Sequence, residues 1–192
     1  MDRVEEKRLI RSAQNGNADA FAALYRANVQ KIFRYIYYRV NNAQLAEDLT
    51  GDVFMRALEG MGKYDDRGRP FIAWLYRIAH ARVVDYFRKT GKDPVETDIA
   101  DTPLPVDADL DAGLVRRQAA QQLRRAIAAL TAEQQQVIIL RFIEGLRMEE
   151  VARIMGKRPN AIKALQHRAL RALAGRLERS GFKIEEILSE LS

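Results

Sequence analysis

The sequence predicts an all-α chain of two small helical domains joined by an acidic flexible linker, the second containing a helix-turn-helix. Three observations lead there. Apolar residues recur at three- and four-residue spacing through most of the chain, while strand-like alternation is scarce. Proline and glycine are few, 5 and 11 in 192 residues. Charge falls into three blocks: residues 1–91 carry 16 Lys and Arg against 11 Asp and Glu, residues 92–113 carry one Lys against seven acids, and residues 114–192 carry 15 bases against eight acids. Two basic lobes therefore flank an acidic strap, and basic lobes suit a polyanion.

The same composition excludes several classes. There is no cysteine, hence no disulfide framework and no thiolate metal site. The start, MDRVEEKRLIR, is charged and lacks an apolar core segment. No run approaches the roughly 18 apolar residues of a membrane span. A soluble cytoplasmic protein is expected.

In the N-terminal domain, residues 1–91, three or four helices are expected. Ala20, Phe21, Leu24, Ile32, Phe33 and Ile36 give the first its apolar spacing, with Tyr35, Tyr37, Tyr38 and Arg39 near its end. The second, over Ala43–Leu58, buries Leu45, Leu49, Val53, Phe54 and Leu58. Gly60, Gly62 and the stretch Asp65–Pro70 interrupt the pattern. A third, over Phe71–Arg88, carries Phe71, Trp74, Leu75, Ile78 and Ala79. Residues 92–113 hold Pro94, Pro103 and Pro105 and no helical period, which reads as a linker.

The C-terminal domain, residues 114–192, opens with Ala119, Leu123, Ile127 and Leu130 on one face. Thr131 and Gln134 form a capping box that starts a helix over Ala132–Phe142, and Gly145 ends it. Met148–Arg171 then reads as a helix-turn-helix. Gly156 suits a turn needing positive φ, and Pro159 fits only the first turn of the next helix. Val151 and Met155 line the inside of the first helix, and Ile162, Leu165 and Ala169 the inside of the second. Left outward are Asn160, Lys163, Gln166, His167, Arg168 and Arg171, with Arg158 just before. Such side chains can donate to phosphates or base edges from the major groove; an ordinary helical hairpin with a solvated basic face would look similar. The tail GFKIEEILSELS is a short amphipathic segment, read as a helix packed on its own domain.

Two other constellations stand out. Glu47, Asp48 and Asp52 crowd one helix, and Asp48 and Asp52, four apart, repel by about a few tenths of a kcal/mol. Solvation, a basic partner or a metal would each account for them, but no histidine lies nearby to complete a metal site. Tyr64, Trp74, Tyr76, Tyr86 and Phe87 sit among Arg67, Arg69, Arg77, Arg82, Arg88 and Lys89. Aromatics interleaved with bases suit single-stranded nucleic acid, and some of them also suit a core. His80 and His167 are the only histidines and lie in different domains. No catalytic triad, carboxylate pair or phosphate-cradling loop is visible. No enzyme, cofactor or metal is expected.

Taken in order, these segments resemble the small, two-domain extracytoplasmic-function class of bacterial RNA polymerase sigma factors. Ala46-Glu47-Asp48-Leu49 through Asp52, Val53 and Phe54 is similar to the helix that such factors dock on the polymerase β′ subunit. Phe71-x-x-Trp74-Leu75-x-x-Ile78-Ala79, with Asp85 and Arg88, is similar to their minus-ten reader. Leu130-Thr131 through Arg141, Gly145, Glu150-Val151-Ala152, Met155-Gly156, Ile162-Lys163 and Arg168-Ala169 are similar to their minus-thirty-five reader. Three positions depart from the pattern: Gly51 where Gln is frequent, Ala81 where Asn is common, and Arg147 where Ser or Thr caps the helix.

The resemblance implies an initiation factor that binds core RNA polymerase (β and β′ subunits), directs it to promoter DNA and aids melting, with an anti-sigma factor as a further partner. It implies polymerase contacts at Glu47, Asp48, Asp52 and Phe54. It implies minus-ten contacts at Tyr64, Arg67, Arg69, Phe71, Trp74, Arg77, His80 and Arg88. Arg158, Asn160, Lys163, Gln166, His167, Arg168 and Arg171 would read the minus-thirty-five element. The competing reading is a stand-alone helix-turn-helix regulator that needs no polymerase.

Overall fold

The structure is a computed structural model that describes residues 1–65, 68–91 and 114–179, with only the helical backbone described at 114–118. The readings made above for the linker, for Arg67 and for the tail beyond residue 179 lie outside the described residues. Those described form helices and connecting turns, without a strand.

The first helix, α1 (Arg3–Gln14), was not anticipated. Its composition is polar, but Leu9, Ile10 and Ala13 turn to the core and Asp2 caps it, accepting from the Val4 and Glu5 amides at 2.9 and 2.8 Å. It then fastens the loop that follows the third helix. Gln14 Nε2 donates to the carbonyls of Tyr64 (2.7 Å) and Met61 (3.3 Å). Buried Glu6 pairs with Arg3 at 2.6 Å and accepts from the Phe71 amide at 3.3 Å. Phe71 opens a helix preceded by Pro70, which has no side chain able to cap it, so Glu6 supplies the missing acceptor from a distant segment.

Helix α2 (Ala18–Val40) starts at the Asn17 cap and stops at Asn41, which is left-handed at φ 51°. Leu24, Ile32 and Ile36 of α2 are fully buried. Helix α3 (Ala43–Gly60) begins at the Asn42 cap and runs into a 3-10 turn, Met61–Lys63. Gly60 lets the Trp74 ring approach closely, since a Cβ there would lie 3.2 Å from it and press the ring back by a few tenths of an ångström. Helix α4 (Phe71–Thr90) closes at Gly91. Helices α2, α3 and α4 pack mutually, with α1 against α2.

The second lobe has α5 (Leu114–Ala128), α6 (Ala132–Ile138), α7 (Met148–Met155) and α8 (Pro159–Arg179). The Thr131–Gln134 capping box forms as expected, and Gly156 adopts φ 65° in the turn between α7 and α8. Arg147 lacks the usual cap side chain, but Glu150 reaches back to accept from its amide at 2.8 Å. One expectation is corrected. The helix anticipated over Ala132–Phe142 changes winding at Ile139, where a π-helical segment, Ile139–Ile143, replaces α geometry. The Glu144 amide bonds to the Ile139 carbonyl at 2.9 Å, five residues back. A π turn admits one extra residue and resets the register after it.

The lobes are not separate bodies. Helix α2 packs on α5 and on the π-helical segment, α4 packs on α7, and the buried apolar residues form one continuous cluster.

Gly51, in mid-α3, meets nothing within 4 Å of a Cβ and is helical without positive φ. Gly51→Ala is therefore expected to stabilise the chain by about 1 kcal/mol. A thermal melt should show it as a rise of about 2–4 °C in Tm.

Candidate nucleic-acid and polymerase interfaces

Three surfaces gather the residues singled out in the sequence. On α8, Ile162, Leu165 and Ala169 turn inward and are buried, so the positions between them must face solvent. Arg158, Asn160, Lys163, His167, Arg168 and Arg171 are exposed. Gln166 differs: it is half-buried and accepts from Arg141 Nε at 3.2 Å, and Arg141 also holds the Leu146 carbonyl. Its oxygen is committed to bracing the turn before α7. Phe142 and Leu170, both exposed apolar side chains, extend this lobe's surface and were not singled out from sequence.

The second surface lies where the 3-10 turn and the start of α4 converge. Tyr64 stacks on Trp74 at 4.5 Å between ring centroids, and Phe71 meets both edge-on at 5.5 and 5.6 Å. Beside them opens a cavity of about 480 Å³ whose charged lining is Lys63, Arg69, Arg77 and Arg153 against the one acid Asp65. An aromatic floor with a cationic rim fits a flat anionic ligand such as an unstacked nucleotide. Phe71 is 0% exposed, so in this conformation it packs beneath Tyr64 and Trp74 instead of lining the surface. Arg88 is exposed and paired with Asp85 at 3.0 Å.

His80 stands apart from that surface. Its Nδ1 lies 3.0 Å from Nη1 of Arg39, which is 1% exposed and also donates to the Tyr35 hydroxyl at 3.0 Å. A guanidinium can only donate, so His80 Nδ1 is the acceptor and the proton sits on Nε2. Burial, with the Arg39 charge second, pushes the His80 pKa down to about 4, against a smaller upward pull from Glu133.

The third surface is α3. Glu47, Asp48 and Asp52 are exposed, as expected. Asp52, however, is already paired with Arg82 of α4, at 2.6 Å to Nη2 and 3.1 Å to Nε. The repulsion between Asp48 and Asp52 is thus relieved within the chain. Phe54 is buried at 4% exposure and meets Tyr25 edge-on at 4.7 Å, which makes it part of the support beneath this face. Sequence reasoning missed the apolar side chains here: Met55 is 60% exposed and Leu58, expected to be buried, is 50% exposed. Exposed apolar groups beside acids are the usual composition of a protein-binding patch. Among the described residues, no cluster of His, Asp and Glu could hold a metal, and no helix is long and apolar enough to cross a membrane.

A basic helix-turn-helix, an aromatic-cationic cavity and an acidic-apolar helix face on one chain define a DNA-binding protein with a protein partner. Comparison with known families makes that class specific. Residues 24–93 match Sigma-70 region 2, and residues 120–173 match Sigma-70, region 4. The chain belongs to the sigma-70 family, in its extracytoplasmic-function class, and is a promoter-directing initiation factor of RNA polymerase. It is 39% identical over 174 residues to the ECF RNA polymerase sigma factor BldN of Streptomyces coelicolor, covering 90% of this chain and 66% of that protein. It is 30% identical over 184 residues to SigD of Mycobacterium tuberculosis, covering 90% of this chain and 84% of that protein. Among solved structures, CnrH in complex with the cytosolic domain of CnrY shares the fold, with a TM-score of 0.67, 21% identity and coverage of 91% and 98%. So does the sigma factor RpoE in complex with the anti-sigma factor NepR from Bartonella quintana, with a TM-score of 0.64, 24% identity and coverage of 82% and 96%. With both sigma regions in order, the stand-alone regulator loses its support.

The His80 environment gives a pH signature. The unfolded chain takes up a proton at this histidine near pH 6.5, whereas the folded chain resists it down to about pH 4. The unfolded state binds more protons in that window, so stability falls as pH drops through it. His80→Gln keeps an acceptor for Arg39 and cannot titrate. Its melting temperature should fall less between pH 6.5 and 4 than that of the wild type, by parallel thermal melts; equal slopes would place the loss elsewhere.

Proposed function

We propose that this chain divides promoter reading between its lobes and docks on core polymerase through α3. In this reading the outer face of α8 reads the minus-thirty-five element, with Arg158, Asn160, Lys163, His167, Arg168 and Arg171 in contact with DNA. The cavity beside Tyr64 and Trp74 captures an unstacked base of the minus-ten element, with Lys63, Arg69 and Arg77 on the phosphates. Glu47 and Asp48 meet basic groups of the polymerase β′ subunit, with Met55 and Leu58 adding apolar contact. The second lobe meets the β subunit. The chain works in the cytoplasm with the polymerase, catalyses nothing itself and needs no cofactor. An anti-sigma factor is a further partner, as NepR is for RpoE of Bartonella quintana.

The observation that carries this reading is the Tyr64–Trp74 stack beside a cavity with a cationic rim. A protein that reads only duplex DNA has no use for a stacking floor. Promoter opening needs somewhere for a displaced base to go, and stacking on an aromatic ring is worth about 1–3 kcal/mol per base. Binding energy of that size, summed over a few bases, offsets unpairing without any chemistry by the chain.

Run-off transcription with core polymerase tests the division of labour. Arg168→Ala is expected to weaken use of the upstream element by about 1–3 kcal/mol. Lys163→Ala should weaken all promoters by a smaller, uniform factor. Both should bind core polymerase normally. Asp48→Lys should lose core polymerase in a pull-down while melting like the wild type. Wild-type transcription by all three variants would refute the assignment.

A further inference from the structure

The cavity beside Tyr64 and Trp74 carries more positive charge than a nucleotide within a DNA strand can match. Lys63, Arg69, Arg77 and Arg153 line it against the single acid Asp65, an excess of three positive charges. Arg153 belongs to α7 and takes no part in the contacts assigned above to either promoter element. It is exposed, and within the chain only its Nε is engaged, donating to the Glu149 carbonyl at 3.2 Å. Its two terminal nitrogens are left for a group that enters the cavity. Gly60 and Ala73, both small, leave the space beside the stacked rings open.

We infer that this cavity is a binding site for a free nucleoside di- or triphosphate, with the base on the Tyr64–Trp74 stack and the phosphates among Lys63, Arg77 and Arg153. Size and charge both point that way. Its volume of about 480 Å³ falls in the range of about 300–1,000 Å³ usual for small-ligand sites. A nucleotide inside a strand brings one charge, on a backbone that must continue past the cavity on both sides. A terminal phosphate carries about −1.5 to −2 at neutral pH, so a nucleoside diphosphate brings about three charges to one place. That matches the excess in the lining. Arginine suits the task, because its planar fork can donate to two phosphate oxygens at once.

Every base has a face that can stack, so the phosphates set the affinity and the base matters less. The order expected is triphosphate and diphosphate first, then monophosphate, then nucleoside. The consequence for transcription rests on the minus-ten assignment. A nucleotide seated here competes with a promoter base for the same stack, so the concentration of free nucleotide governs how much of the chain is available to DNA. The binding itself stands without that assignment.

Trp74 is the only tryptophan of the chain, so its emission reports on the stack directly. Titrating the full chain alone with ADP should quench that emission to saturation, with a midpoint below about 1 mM. ADP should also raise the melting temperature with concentration, a readout independent of the fluorescence. Adenosine supplies the base alone and inorganic pyrophosphate the charges alone; each should bind at least about tenfold more weakly than ADP. Arg153→Ala should weaken ADP about tenfold and leave run-off transcription by the holoenzyme unchanged. The double variant Lys63→Ala/Arg77→Ala should weaken both. These three positions are exposed, so the substitutions leave the core intact. No saturable quenching by ADP up to about 10 mM, pyrophosphate binding as well as ADP, or wild-type ADP affinity in either variant overturns the site. The double variant also separates the two readings. Normal promoter opening with ADP binding lost keeps the nucleotide site and removes the minus-ten assignment. Impaired opening with ADP binding intact does the reverse.

Discussion

Glu144, sealed between Arg34 and Tyr76, is the interaction on which the arrangement of this molecule depends. It bonds to α2 through Arg34 and to α4 through Tyr76 from the end of the π-helical segment, so it ties the two lobes together. A buried carboxylate must be neutralised, and here the second lobe cannot do that alone. The relative position of the lobes is therefore set by charge satisfaction as well as by apolar packing. The π turn is the local device that makes this possible, since the extra residue resets the winding just before Glu144.

A second constraint acts within the first lobe. The loop between α3 and α4 frames the aromatic cavity, and α1 holds both of its ends. Gln14 grips the Met61 and Tyr64 carbonyls, Glu6 caps α4 at Phe71, and Arg3 donates to the Arg69 carbonyl. A stacking site works only if its floor is fixed before the base arrives, because ordering it on binding would consume part of the stacking energy. Gly60 completes the arrangement by leaving room for Trp74 to lie beside the end of α3.

Much of this was legible in the sequence wherever the signal was local. The second helix-turn-helix element, with Pro159 at its first position and Ile162, Leu165 and Ala169 buried, follows from periodicity and capping alone. The starts of α3 and α4 follow from the apolar spacing, although the cap of α4, Glu6, comes from a distant segment. What escaped was tertiary. Helix α1 is polar overall, and beyond its packing on α2 it is held by hydrogen bonds to residues more than 40 positions away. Asp52 looked unneutralised because Arg82, its partner, lies 30 residues on. Phe54 is buried as the apolar spacing expects, and Phe71 is core as well, although the resemblance placed both at contact surfaces, since motif position does not say which face of a helix is covered. Glu144 gave no signal at all. A lone acid before a glycine is ordinary until Arg34 and Tyr76 are brought to it.

In the proposed reading each small lobe makes few, salt-sensitive phosphate contacts, so selectivity is expected from the assembly with polymerase and not from the chain alone. The most direct measurement is the affinity of the full chain for duplex promoter DNA at physiological salt, with and without core polymerase. The account predicts weak, sequence-indifferent, steeply salt-dependent binding by the chain alone and selective binding once core polymerase is added. Tight binding to one sequence by the isolated chain, unchanged by polymerase, would contradict it.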